Sequence, residues 1–135
     1  MEPDEVLKAI YFGDRSCKAI VVDGWRERIC VTFDVLSRLA TGATSWDFDS
    51  SRDIPDGCLV FTGAKSVRFN PSGPIPNDLV NDIQAVRRDE PNKPTNWVFT
   101  LSIGSVNSLG ETTEVTVTIE AAGLQVQGDA SDTAQ

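Results

Sequence analysis

The side chains best suited to chemistry lie in one acidic run, Asp47, Asp49, Asp53 and Asp56, with Trp46 and Phe48 set among the first of them. A calcium hand takes oxygen ligands at alternate positions, glycine at the sixth and glutamate at the twelfth. Counted from Asp47, those places hold Arg52 and Cys58, so the hand fails. Two carboxylates can divide acid and base roles, as in glycoside hydrolysis, although a solvated acidic loop carries the same residues with no task at all. Aromatic rings interleaved with carboxylates offer an anchor and a long-range attraction for a cationic protein. Trp46, Asp47, Phe48, Asp49, Asp53 and Asp56 are therefore the candidate partner-binding residues, with core packing of the two rings as the competing reading.

The other motifs exclude more than they offer. The chain has no histidine, which removes the nucleophile–imidazole constellations and the usual zinc sites. Cys17, Cys30 and Cys58 are odd in number and lack the paired spacing of a disulfide framework or zinc knuckle. Neither a metal nor a cofactor is expected, and no catalytic residue is assigned. Phe61-Thr62-Gly63-Ala64-Lys65-Ser66 is superficially like a phosphate loop. Ala64 breaks the Gly-Lys adjacency, and Val67-Arg68-Phe69 promises a strand where a helix N-terminus is needed. With 12 basic and 20 acidic residues the net charge is -8, which repels phosphate backbones and suits cationic partners. No apolar run reaches the ~18 residues of a membrane helix. The first residues, Met1 to Glu5, lack the basic start of a secretory signal. A cytoplasmic protein with reduced thiols is the expectation, binding neither nucleic acid nor membrane.

The elements that must position these residues are mostly strands. Val, Ile and Thr number 33 against 29 for Ala, Leu, Glu and Lys, and β-branched residues favour a pleated surface. One amphipathic helix is expected over residues 3–12, opened by Pro3, Asp4 and Glu5, striped by Val6, Leu7, Ile10 and Tyr11 and stopped by Gly13. Asp23-Gly24 reads as a two-residue hairpin turn. That turn pairs Val22 with Trp25, Ile20 with Glu27 and Cys17 with Cys30. Ile20, Val22, Trp25, Ile29, Val31 and Phe33 then share the core face, and Cys17 and Cys30 sit together on the other. Trp46 to Asp49 alternates like a short edge strand, Ser50 to Gly57 is a polar connection, and residues 71–76 form an extended proline loop. Residues 77–86 suit a helix or a strand. Trp97 to Ile103 and Thr113 to Ile119 alternate cleanly, with Trp97 in the core. The fold class is α+β and mostly β: a helix on about eight antiparallel strands in a meander, sandwich or partly open barrel. Residues 1–127 make one domain and residues 128–135 a frayed tail.

Asp14-Arg15-Ser16-Cys17-Lys18, Asp23-Gly24-Trp25, the Phe61 to Val67 segment, Gly73-Pro74-Ile75-Pro76-Asn77-Asp78 and Phe99 to Ser105 together resemble a family of small uncharacterised bacterial proteins, over residues 5–125. That family brings no catalytic motif to carry over. In size, acidity and β-richness the chain is also similar to immunity proteins encoded beside bacterial polymorphic toxins. The functional expectation is a cytoplasmic protein-binding module, of the immunity kind, that covers a basic toxin partner. The alternative is a small-ligand-binding or structural β module. A hydrolase built on paired aspartates stands last, because no activated nucleophile is visible.

Overall fold

The computed structural model describes residues 1–40 and 42–128. The chain opens with helix α1 (Pro3–Lys8) and strand β1 (Ile10–Tyr11), followed by β2 (Cys17–Asp23), β3 (Arg28–Phe33), β4 (Val35–Arg38) and β5 (Asp53–Pro55). It continues through β6 (Cys58–Thr62), β7 (Ser66–Asn70), β8 (Val80–Arg88), β9 (Asn96–Val106), β10 (Thr112–Ala121) and β11 (Gly123–Gln127). Two four-stranded antiparallel sheets, β7-β10-β9-β8 and β11-β6-β3-β2, face each other, and a small sheet β1-β4-β5 flanks them. The mostly-β α+β architecture with an N-terminal helix is as the alternation foretells, with 11 strands among the described residues where about eight were expected.

The inner faces make the core. Phe99, Leu101, Ile103, Val115, Val117 and Ile119 from one sheet meet Val31, Phe33, Leu59 and Phe61 from the other, all fully buried. Phe61 and Phe99 pack edge to face across the gap, with ring centroids 4.9 Å apart. Such a pair adds about 0.5–1.5 kcal/mol to the burial of its rings. Trp97 lies in this core, as expected. The chain crosses between sheets twice at one end, from β6 to β7 and from β10 to β11. The crossings are tied by the Ala122 N–H donating to the Thr62 carbonyl at 2.9 Å and the Lys65 N–H to that of Glu120 at 2.8 Å. Gly63 is required there: its φ is +60° and a Cβ would stand 2.9 Å from that of Ala122. The segment that resembles a phosphate loop is this crossing.

Several expectations are corrected. The helix ends at Lys8, because Ile10 and Tyr11 pair with Arg38 and Ser37 and draw the chain into the small sheet. The β2–β3 hairpin turns through four residues, Gly24 to Glu27, and not two. Asp23 opposes Arg28, the Asp23 carboxylate accepts the Arg26 N–H at 3.1 Å, and Glu27 takes a φ of +52°. The new register keeps the parity of the old one, so Ile20, Ile29, Val31 and Phe33 keep their face, while Val22, expected in the core, is exposed and Trp25 moves to the loop and is 96% exposed. Cys30 opposes Val21, and Cys17 opposes Phe33. A bulge between Cys17 and Ala19 turns Cys17 into the core, so the two thiols do not share a face. Residues 80–88 are a strand whose bulge after Val80 brings both Val80 and Ile83 inward, a spacing that imitates a helix. Residues 46–49 form no strand, and the polar connection from Ser50 contains β5. The 71–76 loop is irregular as expected, and of the expected tail at 128–135 residues 129–135 lie outside the described residues, as does Thr41.

Candidate functional site

The acidic run sits on the small sheet, and the early end of α1 is what makes it possible. Entering β1, Tyr11 becomes a platform: the Trp46 ring stacks on it at 4.6 Å and 17°, and Phe48 packs on Trp46 at 4.6 Å and 41°. The Arg15 guanidinium lies 4.9 Å from the Trp46 ring and 5.4 Å from that of Tyr11. The Trp46 indole nitrogen is buried without an acceptor among the described residues, so stacking and the cation hold this ring. Below it, fully buried Ser37 on β4 accepts from Arg15 Nη2 at 2.8 Å and donates to Asp53 Oδ1 at 2.6 Å.

The carboxylates of the loop are clamped from within. Arg52 Nη2 reaches Asp47 Oδ2 at 2.6 Å and Nη1 reaches Asp49 Oδ2 at 3.0 Å. Asp49 also accepts the hydroxyl of Ser51 at 2.6 Å and its backbone N–H at 3.0 Å. The hydrogen bond from Arg52 holds the Asp47 carboxyl below the usual carboxylate range, and the Ser51 hydroxyl does the same for Asp49. Asp56 stands apart on the turn after β5, where Lys18 Nζ approaches it at 2.5 Å. Asp47 and Asp56 remain exposed and Asp49 is half-buried, whereas Asp53 turns toward Ser37.

Phe48 is 78% exposed and has a φ of +62°, a left-handed conformation that a bulky residue adopts at a cost of about 1–3 kcal/mol. The Arg52 clamp on both neighbours and the Trp46 ring beneath hold it there. Of the six candidate residues, the structure clamps Asp47 and Asp49 on Arg52, stacks Phe48 on Trp46, ties Asp53 to Ser37 and leaves Asp56 apart with Lys18. Sequence reasoning missed Tyr11, Arg15, Ser37 and Arg52. Arg52 alone had a local signal, its spacing of three and five residues from the two aspartates.

This arrangement can present an aromatic ring framed by ionised carboxylates. A general acid at neutral pH needs a carboxyl pushed upward, and the two here are pushed down. Among the described residues no three cysteine, aspartate or glutamate side chains converge as metal ligands, and no helix is long and apolar enough to cross a membrane. Apart from this surface, a cleft of about 360 Å³ lies between β2 and the proline loop, walled by Ile20, Phe69, Pro74 and Ile75. In comparisons with known proteins, the model of DUF6258, a family of unknown function, matches residues 1–135. No curated protein and no solved structure matches the chain.

Proposed function

The chain belongs to the DUF6258 family, and we propose that it is a protein-binding module without catalytic activity, which covers a cationic partner with the Trp46–Asp56 surface. The observation that carries this reading is Phe48: a large apolar ring held exposed, in a strained backbone, by a stack and an ion-pair clamp. Rigid aromatic side chains make strong anchors because little freedom is lost when they are covered. Asp47 and Asp49 beside it, with Asp56 apart on the turn after β5, attract positive charge at a distance and set the encounter rate. In its narrower form the proposal is a cytoplasmic immunity protein for a basic toxin, with Cys17, Cys30 and Cys58 kept as thiols.

The test compares the immobilised wild-type chain with Phe48→Ala in a lysate of the source cells at low salt. A basic protein retained by the wild type, released by salt and lost with the variant supports the proposal. Equal retention by both removes this surface. The alternative, a small-ligand-binding β module, is favoured by the cleft beside the proline loop, whose volume lies in the range of ligand sites.

A further inference from the structure

One side of the sandwich is open. Helix α1 packs against β11 and β8, which closes the other side. On the open side β2 ends one sheet and β7 ends the other, and they do not pair. Among the described residues no backbone hydrogen bond reaches the outer edge of β2 beyond the Cys17 N–H, which donates to the Asp78 carbonyl. Natural edge strands are guarded by charge, proline or a bulge. Here the bulge and the Lys18–Asp56 pair guard only the start of β2. Ala19, Ile20, Val21 and Val22 follow without a charge, and Val21 and Val22 are 55% and 52% exposed.

Two clefts lie along this edge. The first, of about 360 Å³, opens between Lys18–Ile20 and the loop after β7. The second, of about 590 Å³ and more polar, opens between Val22–Gly24 and Lys65–Val67. Their centres are about four residues apart along β2, roughly 13 Å, the distance between same-face side chains i and i+4 of an extended chain. The far wall of the first cleft is rigid. Ser105 Oγ donates to the Ile75 carbonyl at 2.6 Å, and Asn77 exchanges two hydrogen bonds with the backbone of Val106, at 2.8 and 2.9 Å. Ile75 is nevertheless 75% exposed, so its side chain points away from the scaffold that pins its backbone.

We propose that this seam takes an extended segment of a partner protein as an added strand, paired to β2, with an apolar side chain in the cleft between Ile20 and Ile75. An open strand edge supplies main-chain hydrogen bonds, and pockets at even spacing supply selectivity. The first cleft holds one or two side chains, too little for the flank of a folded domain. A second copy of a chain with net charge -8 is repelled at long range. The charges lining the two clefts are Lys18, Arg28 and Lys65 against Asp23 and Glu27, so a neutral or mildly acidic segment meets no such barrier.

The test selects binders from a displayed library of random twelve-residue peptides on the full chain and compares them on Ile75→Glu and Phe48→Ala. The expected result is peptides sharing an apolar position, at least tenfold weaker on Ile75→Glu and unchanged on Phe48→Ala, that slow amide exchange within residues 18–23. The unchanged binding to Phe48→Ala separates this site from the loop surface proposed above. Binders that leave β2 exchange unaltered would make the cleft a side-chain pocket and overturn strand addition. Protection of β2 that rises with the chain's own concentration, together with a dimer in sedimentation, would assign the edge to a second copy and overturn it too. A library that yields no binder stronger on the wild type than on Ile75→Glu also refutes the proposal.

Discussion

Replacing Ser37 by alanine removes one hydroxyl and two hydrogen bonds to charged groups, from Arg15 at 2.8 Å and to Asp53 at 2.6 Å. Bonds of this kind contribute about 1.5–3 kcal/mol each when their partners are left buried. Arg15 and Asp53 are only half-buried, so water recovers part of the loss. Keeping roughly half of the summed ~3–6 kcal/mol leaves about 2–3 kcal/mol for the pair. With a urea dependence of about 2 kcal/mol per molar, the unfolding midpoint should fall by roughly 1 to 1.5 M at unchanged slope. Thermal unfolding should fall by roughly 4–12 °C, since each kcal/mol moves a domain of this size by about 2–4 °C. A cycle with Asp53→Ala should show coupling above about 1 kcal/mol, because the two side chains share one bond. A loss below about 0.5 kcal/mol, or additive single changes, would mean that Ser37 does not link Arg15 to Asp53 on the small sheet and that the platform under Phe48 is loose.

Three further outcomes follow from the same geometry. Burial pushes the Cys17 thiol up to about 11, so a thiol reagent at pH 8 should label Cys30 and Cys58 in the folded chain and Cys17 only on unfolding; mass spectrometry showing equal labelling rates would contradict this. Because the folded value is raised, the stability linked to that proton is complete below the ordinary thiol range and is lost as pH climbs toward 11. Asp47 and Asp49 titrate below their ordinary values, so the stability of the Arg52 clamp is present above the ordinary carboxylate range and lost as pH falls through the depressed values; the Trp46 indole resonance should hold steady from about pH 7 to 5 and move only below about pH 4, and a transition centred near pH 5 or 6 would refute the clamp. Gly63→Ala forces a left-handed alanine against Ala122 and should cost about 1–3 kcal/mol in urea unfolding, whereas Gly110→Ala, with a φ of +80° but open space around it, should cost less.

The parts of the fold that were legible in the sequence are those where one period runs unbroken. Trp97 to Ile103 and Val115 to Ile119 alternate without interruption, and both strands appear with the expected face buried. Where a bulge shifts the phase, the pattern misleads: Val80 and Ile83 look helical, and Cys17 looks outward-facing, because an extra residue changes which side chain points inward. The Asp23-Gly24 turn failed for a different reason. Its dipeptide favours a tight hairpin locally, but the Asp23 carboxylate caps Arg26 and Arg28 must meet Thr62 on β6, and these together fix a wider loop. Register parity survived that change, so Ile29, Val31 and Phe33 are buried as expected, while Val22 and Trp25 at the hairpin end are exposed. For the acidic run, the sequence reading grouped the aromatic and acidic residues. Tyr11, Arg15 and Ser37 lie 9 to 35 positions away from Trp46, and nothing local announces that long-range packing would assemble them beneath it.

The proposal that Phe48 anchors a protein-binding surface is tested in place by a photo-crosslinking side chain. Phe48 and, as a control, the 81% exposed Leu109 on the β9–β10 turn are each replaced by a benzophenone-bearing phenylalanine, and the chains are irradiated in the source cells. A discrete crosslinked protein of basic composition is expected at position 48, diminished by added salt in lysate and absent at position 109. No crosslinked protein at position 48, or the same set of proteins at both positions, would contradict the proposal.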